Sequence, residues 1–108
     1  MWQGIDPESA KIREWSLNEV KRIVLDHLGG HPARVYLFGS CATGRIHRFS
    51  DIDVAIEPRE PLPIAMLSNI NEALEESTVP YFVDVVDLTN ASADLRREVH
   101  KEGVLWRA

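Results

Sequence analysis

Two aspartates that follow a glycine–serine turn constrain this chain more than any other feature of its sequence. Gly39-Ser40 ends the apolar run 35–38, and Asp51 and Asp53 stand at the start of the next apolar run. Successive side chains of an extended segment point to opposite faces, so the spacing predicts that both aspartates share one face while Ile52 faces the core. The pattern therefore predicts two strands joined by a loop, with a pair of carboxylates beside the turn.

The chemistry of this segment depends on its two parts occurring together. Alone, an Asp-x-Asp pair is more often a turn, a helix cap or a solvated strand face. Gly39 ends a strand where the backbone turns sharply or approaches a ligand closely. Ser40 adds a hydroxyl and a backbone N–H at a potential helix start, which favour an anion. Because Mg²⁺ prefers carboxylate oxygens and keeps waters that phosphates replace, the combination predicts phosphoryl or nucleotidyl transfer.

A third carboxylate is needed if two metal ions are held at once, and we expect it in the apolar run 81–86. Asp84 lies in the middle of that run, where a charge is costly unless it is paired or coordinated, and we choose this residue. The alternative explanation for Asp84 is the exposed face of an edge strand. Asp87 lies at the end of the run, where capping of the turn at Leu88-Thr89 is the ordinary explanation.

Two other phosphate-binding motifs are excluded by the sequence. Gly39 and Gly44 have the spacing of a P-loop, but Arg45-Ile46 follow where Lys and Ser or Thr are required. The dinucleotide fingerprint Gly-x-Gly-x-x-Gly is absent from the chain as well.

Hydrophobic periodicity predicts short strands alternating with amphipathic helices, which is typical of an α/β (α+β) domain whose sheet is covered by helices. The capping-box pattern Ser16-x-x-Glu19 predicts the start of the first long helix. The predicted helices are a short one from Asp6 through Trp15, a long one over 16–29 and a third over 63–76, which starts at Pro63. A last helix is capped by Asn90 or Ser92 and ends at Gly103. The predicted strands are 34–38, 52–57 and 81–86, and Val104-Leu105-Trp106 forms a further strand or a packed tail.

Length and composition predict a single domain over residues 1–108, with 1–15 as an N-terminal extension. The formal net charge is −5, so a nucleic acid is not an expected partner. The longest apolar runs fall well short of the roughly 20 residues that span a bilayer, and a membrane is not expected either. One cysteine fits a reducing cytoplasm.

At this point a family resemblance becomes clear. The stretch Gly39-Ser40…Gly44…Ser50-Asp51-Ile52-Asp53, followed by Asp84, resembles the nucleotidyltransferase superfamily that includes DNA polymerase beta. The compact length is similar to its smallest branch, the minimal nucleotidyltransferases (MNT). The resemblance implies a single-domain, polymerase beta palm-like fold with a mixed sheet. It also implies that Gly39 and Ser40 bind the nucleoside triphosphate and that Asp51 and Asp53 hold two Mg²⁺ ions, for which Mn²⁺ can substitute. Asp84 then completes the metal site beside the attacking hydroxyl.

The resemblance also implies a partner and a reaction. Many members pair with a helical HEPN protein in toxin–antitoxin systems, and some transfer AMP from ATP onto a tyrosine of that partner. This chain departs from the family at Cys41, where an Arg or a large residue often follows Gly-Ser. Arg45 and Arg48, with His47, are candidates to supply the missing positive charge to the triphosphate. Taken singly, each is equally well explained as a solvated loop charge.

Three other functions remain open at this stage. The first is a non-catalytic antitoxin that neutralises its partner by binding, and the second is a small-molecule nucleotidyltransferase. The third, a polymerase-type enzyme, is disfavoured because the sequence has no template-binding lobe and no basic face. Three tryptophans near the termini, Trp2, Trp15 and Trp106, are candidates for an exposed partner surface, although the edge of the core is the default explanation for them.

Overall fold

The structure of the protein, a computed structural model, describes residues 7–39 and 51–108. The order of helices and strands in these ranges is the predicted one, and the segment 104–106 lies in a strand. The helices are α1 (Pro7–Leu28), α2 (Met66–Glu76) and α3 (Ala93–Glu102), and a short 3-10 turn spans Leu88–Asn90. The strands are β1 (Ala33–Phe38), β2 (Ile52–Pro58), β3 (Val83–Asp87) and β4 (Val104–Arg107).

The described strands form one mixed sheet in the order β3-β2-β1-β4. β1 is antiparallel to both β2 and β4, whereas β2 and β3 are parallel. A parallel pair needs a crossover connection, and α2 supplies it between β2 and β3. In this sheet β3 and β4 are the edge strands, so one side of β3 is not paired with another described strand.

Helices cover both faces of the sheet. α1 and α2 pack on one face, over a core to which β2 contributes Ile52, Val54 and Ile56, each with 0% of its surface exposed. The prediction that Ile52 faces the core is therefore confirmed. On the other face α3 packs through Val99 against Tyr36 and Ala55. Alternate residues of β2, including Asp53, belong to this second face.

The predicted start of the first long helix is wrong. α1 is continuous from Pro7, a residue type that suits a first helical turn, so Ser16 lies inside the helix. Ser16 is buried, and its Oγ donates a hydrogen bond to the carbonyl oxygen of Ile12 at 2.7 Å. A serine can satisfy its hydroxyl in this way within a helix, so the Ser-x-x-Glu pattern does not mark a cap here.

Other predicted helix boundaries have mixed outcomes. α2 begins at Met66 and not at Pro63, because Ala65 adopts a left-handed conformation with φ 75° directly before the helix. The cap at Ser92 is confirmed, since its side chain accepts a hydrogen bond from the N–H of Leu95. Gly103 ends α3, as predicted. Among the described helices, none combines the length and apolar character needed to cross a membrane.

Candidate active site

The two aspartates at the centre of the candidate site face each other across parallel strands. Asp53 of β2 and Asp84 of β3 are register partners, and neighbouring strands lie about 4.8 Å apart. Both side chains belong to the sheet face that α3 covers, because Val54 and Val85 pack into the opposite core. Asp53 is half-buried and Asp84 is exposed. The fold thus brings together two acids that are thirty-one residues apart in the sequence.

Crowding of negative charge is visible at Asp53. Burial raises the pKa of its carboxyl group, and the nearby charges of Asp84, Asp51 and Glu98 raise it further. Asp51 is exposed and stands two residues before Asp53, as the predicted pair requires. Negative charges held this close favour protonation or the arrival of a cation. The negative charge of the site therefore bears on Asp53, at the centre of the group.

Glu98 is an acid of this site that the sequence did not single out. It lies on α3, one residue before the buried Val99, and acts on Asp53 through its charge. The helical spacing of Leu95 and Val99 identifies the buried stripe of α3, but it does not indicate which end of the sheet that stripe covers. Since no motif marks Glu98, only the packing of α3 on the sheet reveals its proximity.

Gly39 lies directly against Asp53. It follows the last residue of β1, Phe38, which is the register partner of Asp53. Its φ is +75°, a conformation that side chains with a Cβ rarely adopt. A Cβ at this position would lie 2.5 Å from Oδ2 of Asp53. Glycine is therefore required both by the turn and by the carboxylate that occupies the adjacent space.

Asp84 lies in a different environment from the one expected of a charge inside an apolar run. Asp84 is exposed on the edge strand β3, so the cost of burying a charge in mid-strand does not apply to it. Asp84 thus lies on the exposed face of an edge strand, which was the alternative explanation for it. It belongs to the site because it is the register partner of Asp53. Asp87 caps the following turn, since its Oδ1 accepts a hydrogen bond from the N–H of Thr89 at 2.9 Å. The ordinary explanation for Asp87 is thus confirmed.

Several predicted residues lie outside the described ranges. Among the proposed nucleotide-binding residues these are Ser40, Arg45 and Arg48, and Cys41, His47 and Trp2 lie outside as well. Trp15 is 48% exposed, as expected for a partner surface. Trp106 is partly buried against the main core, which confirms the default explanation for it and not the exposed partner surface.

The donor chemistry of the site suits a hard divalent cation. Asp51, Asp53 and Asp84 offer only carboxylate oxygens, which such cations prefer, and a cation would neutralise the repulsion felt by Asp53. Within residues 7–39 and 51–108, no group of three or more His, Cys, Asp or Glu side chains is arranged closely enough to hold a metal.

A groove opens beside Asp84, between α2 and β3. Its volume is about 430 Å³, and apolar, aromatic and polar residues line it. The residues that line it include Asn71, Leu74, Glu75, Tyr81, Phe82 and Asp84. The groove therefore adjoins the edge strand that carries Asp84.

Comparisons with known proteins agree on one family. The family model described as polymerase beta, nucleotidyltransferase matches residues 18–106. The probable protein adenylyltransferase MntA of Haemophilus influenzae is 37% identical over 67 residues, which are 62% of this chain and 59% of the relative. The chain thus spans about three fifths of the length of that curated relative.

Solved structures share the fold. The crystal structure of a toxin–antitoxin with AMP-PNP contains a chain with a TM-score of 0.69 and 31% identity, covering 84% of this chain and 72% of that chain. The tri-AMPylated Shewanella oneidensis HEPN toxin in complex with MNT antitoxin contains another, with a TM-score of 0.64 and 25% identity. This second likeness covers 88% of this chain and 71% of that chain. The predicted fold class is confirmed.

Proposed function

This chain belongs to the polymerase beta-type nucleotidyltransferase family, and we propose that it transfers AMP from ATP to a hydroxyl group of a protein partner. The observation that carries this proposal is the register of Asp53 opposite Asp84, with Gly39 against the Asp53 carboxylate. Acidic residues close to a glycine turn suit a reaction in which a hydroxyl group attacks a phosphate that is bound to a metal ion. The name of the Haemophilus relative supports protein adenylylation as the outcome.

In the proposed reaction the acceptor oxygen attacks the α-phosphorus of ATP. The acceptor O–H bond breaks and a new O–P bond forms, while the bond from the α-phosphorus to the bridging oxygen breaks and pyrophosphate leaves with its electron pair. Asp84 accepts the proton of the acceptor, since its exposed carboxylate at the open edge of β3 can be reached by another protein. Asp53 and Asp51 orient the triphosphate against that edge.

A divalent metal is implied by the family, whose members generally use such ions. When bound, the metal lowers the pKa of the attacking hydroxyl and neutralises charge on the triphosphate. Asp51, Asp53 and Asp84 are the residues that would hold it, and we propose two Mg²⁺ ions, for which Mn²⁺ can substitute. The raised pKa of Asp53, caused by burial and then by the charges of Asp84, Asp51 and Glu98, supports this assignment, because a cation would offset that crowding of negative charge.

Nucleotide binding is proposed for Gly39, Ser40, Arg45 and Arg48. Gly39 supports this role by its place, because its backbone lies directly against the Asp53 carboxylate with no side chain between them. The two arginines are proposed to offset negative charge on the triphosphate, which the acidic site alone would repel.

The proposed partner is a HEPN-type protein that this chain neutralises as an antitoxin. The complex of an AMPylated HEPN toxin with an MNT antitoxin, which contains a chain similar to this one, supports the pairing. We propose that residues 1–108 act as a single nucleotidyltransferase domain, and the match over 18–106 supports this. A cytoplasmic location is consistent with the single cysteine.

Labelled ATP tests the proposed reaction. The protein is incubated with Mg²⁺ and the product of the neighbouring gene, using ATP labelled at the α-phosphate in one arm and at the γ-phosphate in the other. We expect the partner to take up label only from α-labelled ATP and only when Asp53 is intact. Label from the γ-position would identify a kinase. A stable complex without label would favour the non-catalytic antitoxin, and label on a small molecule would favour the small-molecule nucleotidyltransferase.

A further inference from the structure

We propose that α3 positions a negative charge beside the cation site. In this assignment His100 of α3 binds Glu57 of β2 and so fixes the helix on the sheet. Glu98 of the same helix then lies next to Asp53, where its charge strengthens the binding of a divalent cation. Glu57 and His100 are positioning residues that act through Glu98. The inference rests on the proposed function, to which it adds residues that set the affinity for the cation.

The first observation is the contact between α3 and β2. Nε2 of His100 lies 2.7 Å from Oε2 of Glu57, although the two residues are 43 positions apart in the sequence. The other carboxylate oxygen of Glu57, Oε1, accepts a hydrogen bond from the hydroxyl of Tyr36 at 3.4 Å and lies 4.0 Å from Nη1 of Arg34. Because residues of β1 engage one oxygen, the carboxylate is oriented and offers the other oxygen to His100.

The order of contacts along β2 places Glu98. Alternate residues of β2 form a row on the sheet face that α3 covers, and this row is Asp53, Ala55 and Glu57. Val99 packs against the middle residue of the row, and His100 contacts the last one. Successive residues of an α-helix are about 100° apart around its axis, so Glu98 and His100 flank Val99 on opposite sides. Glu98 therefore lies on the side of the first residue of the row, Asp53.

The charge of Glu98 acts on Asp53, as this placement requires. Glu98 is one of the acids whose charges bear on the carboxyl group of Asp53, together with Asp51 and Asp84. The other acids are the proposed metal ligands, whereas Glu98 is exposed and belongs to α3. A carboxylate outside the ligand set makes the local potential more negative and attracts a divalent cation while it keeps its own hydration. Glu98 thus adds to the affinity for the cation and leaves its ligands unchanged.

The two halves of α3 are fixed by different contacts. In the first half, Nη1 of Arg96 donates a hydrogen bond to the carbonyl oxygen of Leu88 at 3.3 Å, in the turn that follows β3. Leu88 is buried, so this half of the helix is tied to the core. The second half carries Glu98, and there His100 links the helix to the sheet. Loss of the His100 contact should therefore displace Glu98 while the fold persists.

Binding of Mn²⁺ alone tests the assignment, with free Mn²⁺ measured by its electron paramagnetic resonance signal. We expect Glu98→Gln to raise the Kd for Mn²⁺ about fivefold, which is the size expected of one exposed charge near the site. The matched control is Glu72→Gln, which removes an equal charge from an exposed position of α2 and should leave the Kd unchanged. Equal Kd values for wild type and Glu98→Gln would overturn the assignment.

A double-mutant cycle tests whether His100 acts through Glu98. His100→Ala should raise the Kd for Mn²⁺ toward that of Glu98→Gln, and the two changes combined should raise it no further. His100→Gln keeps an N–H donor for Glu57 and should restore the wild-type Kd. Independent, fully additive effects of His100→Ala and Glu98→Gln would show that His100 does not position Glu98, and they would overturn the assignment.

Transfer of AMP is measured on the same proteins, with the partner and α-labelled ATP, so that the two proposals fail separately. Weaker Mn²⁺ binding in Glu98→Gln, without transfer by the wild type, would leave the role of α3 standing and refute the proposed function. Transfer by the wild type, with a Kd for Mn²⁺ that Glu98→Gln does not change, would refute the role of α3 alone.

Discussion

The carboxylate of Asp53 occupies the space in which a side chain at Gly39 would begin. An ideal Cβ built on Gly39 lies 2.5 Å from Oδ2 of Asp53, closer than real Cβ contacts allow. The pairing of Phe38 with Asp53 across β1 and β2 sets this approach. The turn proposed to receive the nucleotide and the acid proposed to hold the metal are therefore one packed unit.

Substitution of Gly39 should damage the site as well as the fold. Gly39→Ala strains a backbone with φ +75° and also displaces the Asp53 side chain. We expect transfer to fall by about hundredfold, since small displacements of reacting groups cost that much. Gly29→Ala is the matched control, because Gly29 also has a positive φ, +54°, but a Cβ there meets nothing within 4 Å.

Comparison of the two glycine variants separates the effect of backbone strain from the effect of contact with Asp53. Each should lose about 1 kcal/mol of stability from the left-handed backbone, measured by urea unfolding. Only Gly39→Ala should lose activity beyond what unfolding explains. Full activity in Gly39→Ala would show that Asp53 moves freely and that the turn does not position it.

Removing the charge of Asp53 should stabilise the protein in a pH-dependent way. Because the folded state raises the pKa of this carboxyl, the folded protein binds the proton more tightly, and stability falls as the pH rises through the titration. Asparagine has no carboxyl group to ionise, so Asp53→Asn does not lose this stability. Its melting temperature should therefore exceed that of wild type at pH 7. The difference should vanish below about pH 4, where both forms are neutral.

A surface acid provides the control for that measurement. Glu72→Gln removes one negative charge from an exposed position of α2 and should change the melting temperature little at either pH. A destabilised Asp53→Asn at neutral pH, measured without divalent cations, would contradict the crowding of charge inferred for Asp53.

Strands β1 and β2 were predictable because their signals are local. β1 and β2 are runs of apolar residues bounded by turns, and their predicted limits differ from the structure by a single residue. The start of α1 was not predictable from Ser16 and Glu19, since the same pattern fits a cap and a helix interior. What decides between them is the burial of Ser16 against the rest of the fold, which local sequence does not contain.

Of the candidate site, only the pair Asp51 and Asp53, which lies in one extended segment, was predictable from local sequence. The alternation that gives Asp51 and Asp53 a common face follows from strand geometry. Asp84 reaches them through the parallel register of β3 on β2, which a sequence does not specify, and the burial argument for choosing it was wrong. The packing of α3 on the sheet brings Glu98 close to Asp53, and no spacing in the sequence links the two residues.

Asp84 and Asp87 should differ sharply when each is replaced by asparagine. Asp84→Asn keeps the volume but ligates a hard cation poorly and accepts no proton, so we expect transfer to fall by about hundredfold or more. Asp87→Asn keeps a carbonyl oxygen that can still accept the hydrogen bond from Thr89, so transfer should change by less than about twofold. Both are measured with α-labelled ATP, and the opposite ranking would refute the role of the β3 register.

The ring of Tyr81 should stabilise the buried guanidinium of Arg13. Tyr81→Leu removes the aromatic face beneath that cation and should lower the free energy of unfolding by about 2 kcal/mol in urea titrations. Tyr81→Phe keeps the face and should remain within about 0.5 kcal/mol of wild type. Equal losses in the two variants would assign the effect to the hydroxyl instead of the ring.

Mass spectrometry of the co-expressed pair tests the central claim most directly. The protein and the product of its neighbouring gene are purified together, once with wild-type protein and once with Asp53→Asn, and the intact mass of the partner is measured. We predict that the partner carries one or more added AMP groups with the wild type and none with Asp53→Asn. A partner that stays unmodified beside the wild-type protein, with ATP and Mg²⁺ present, would contradict the account.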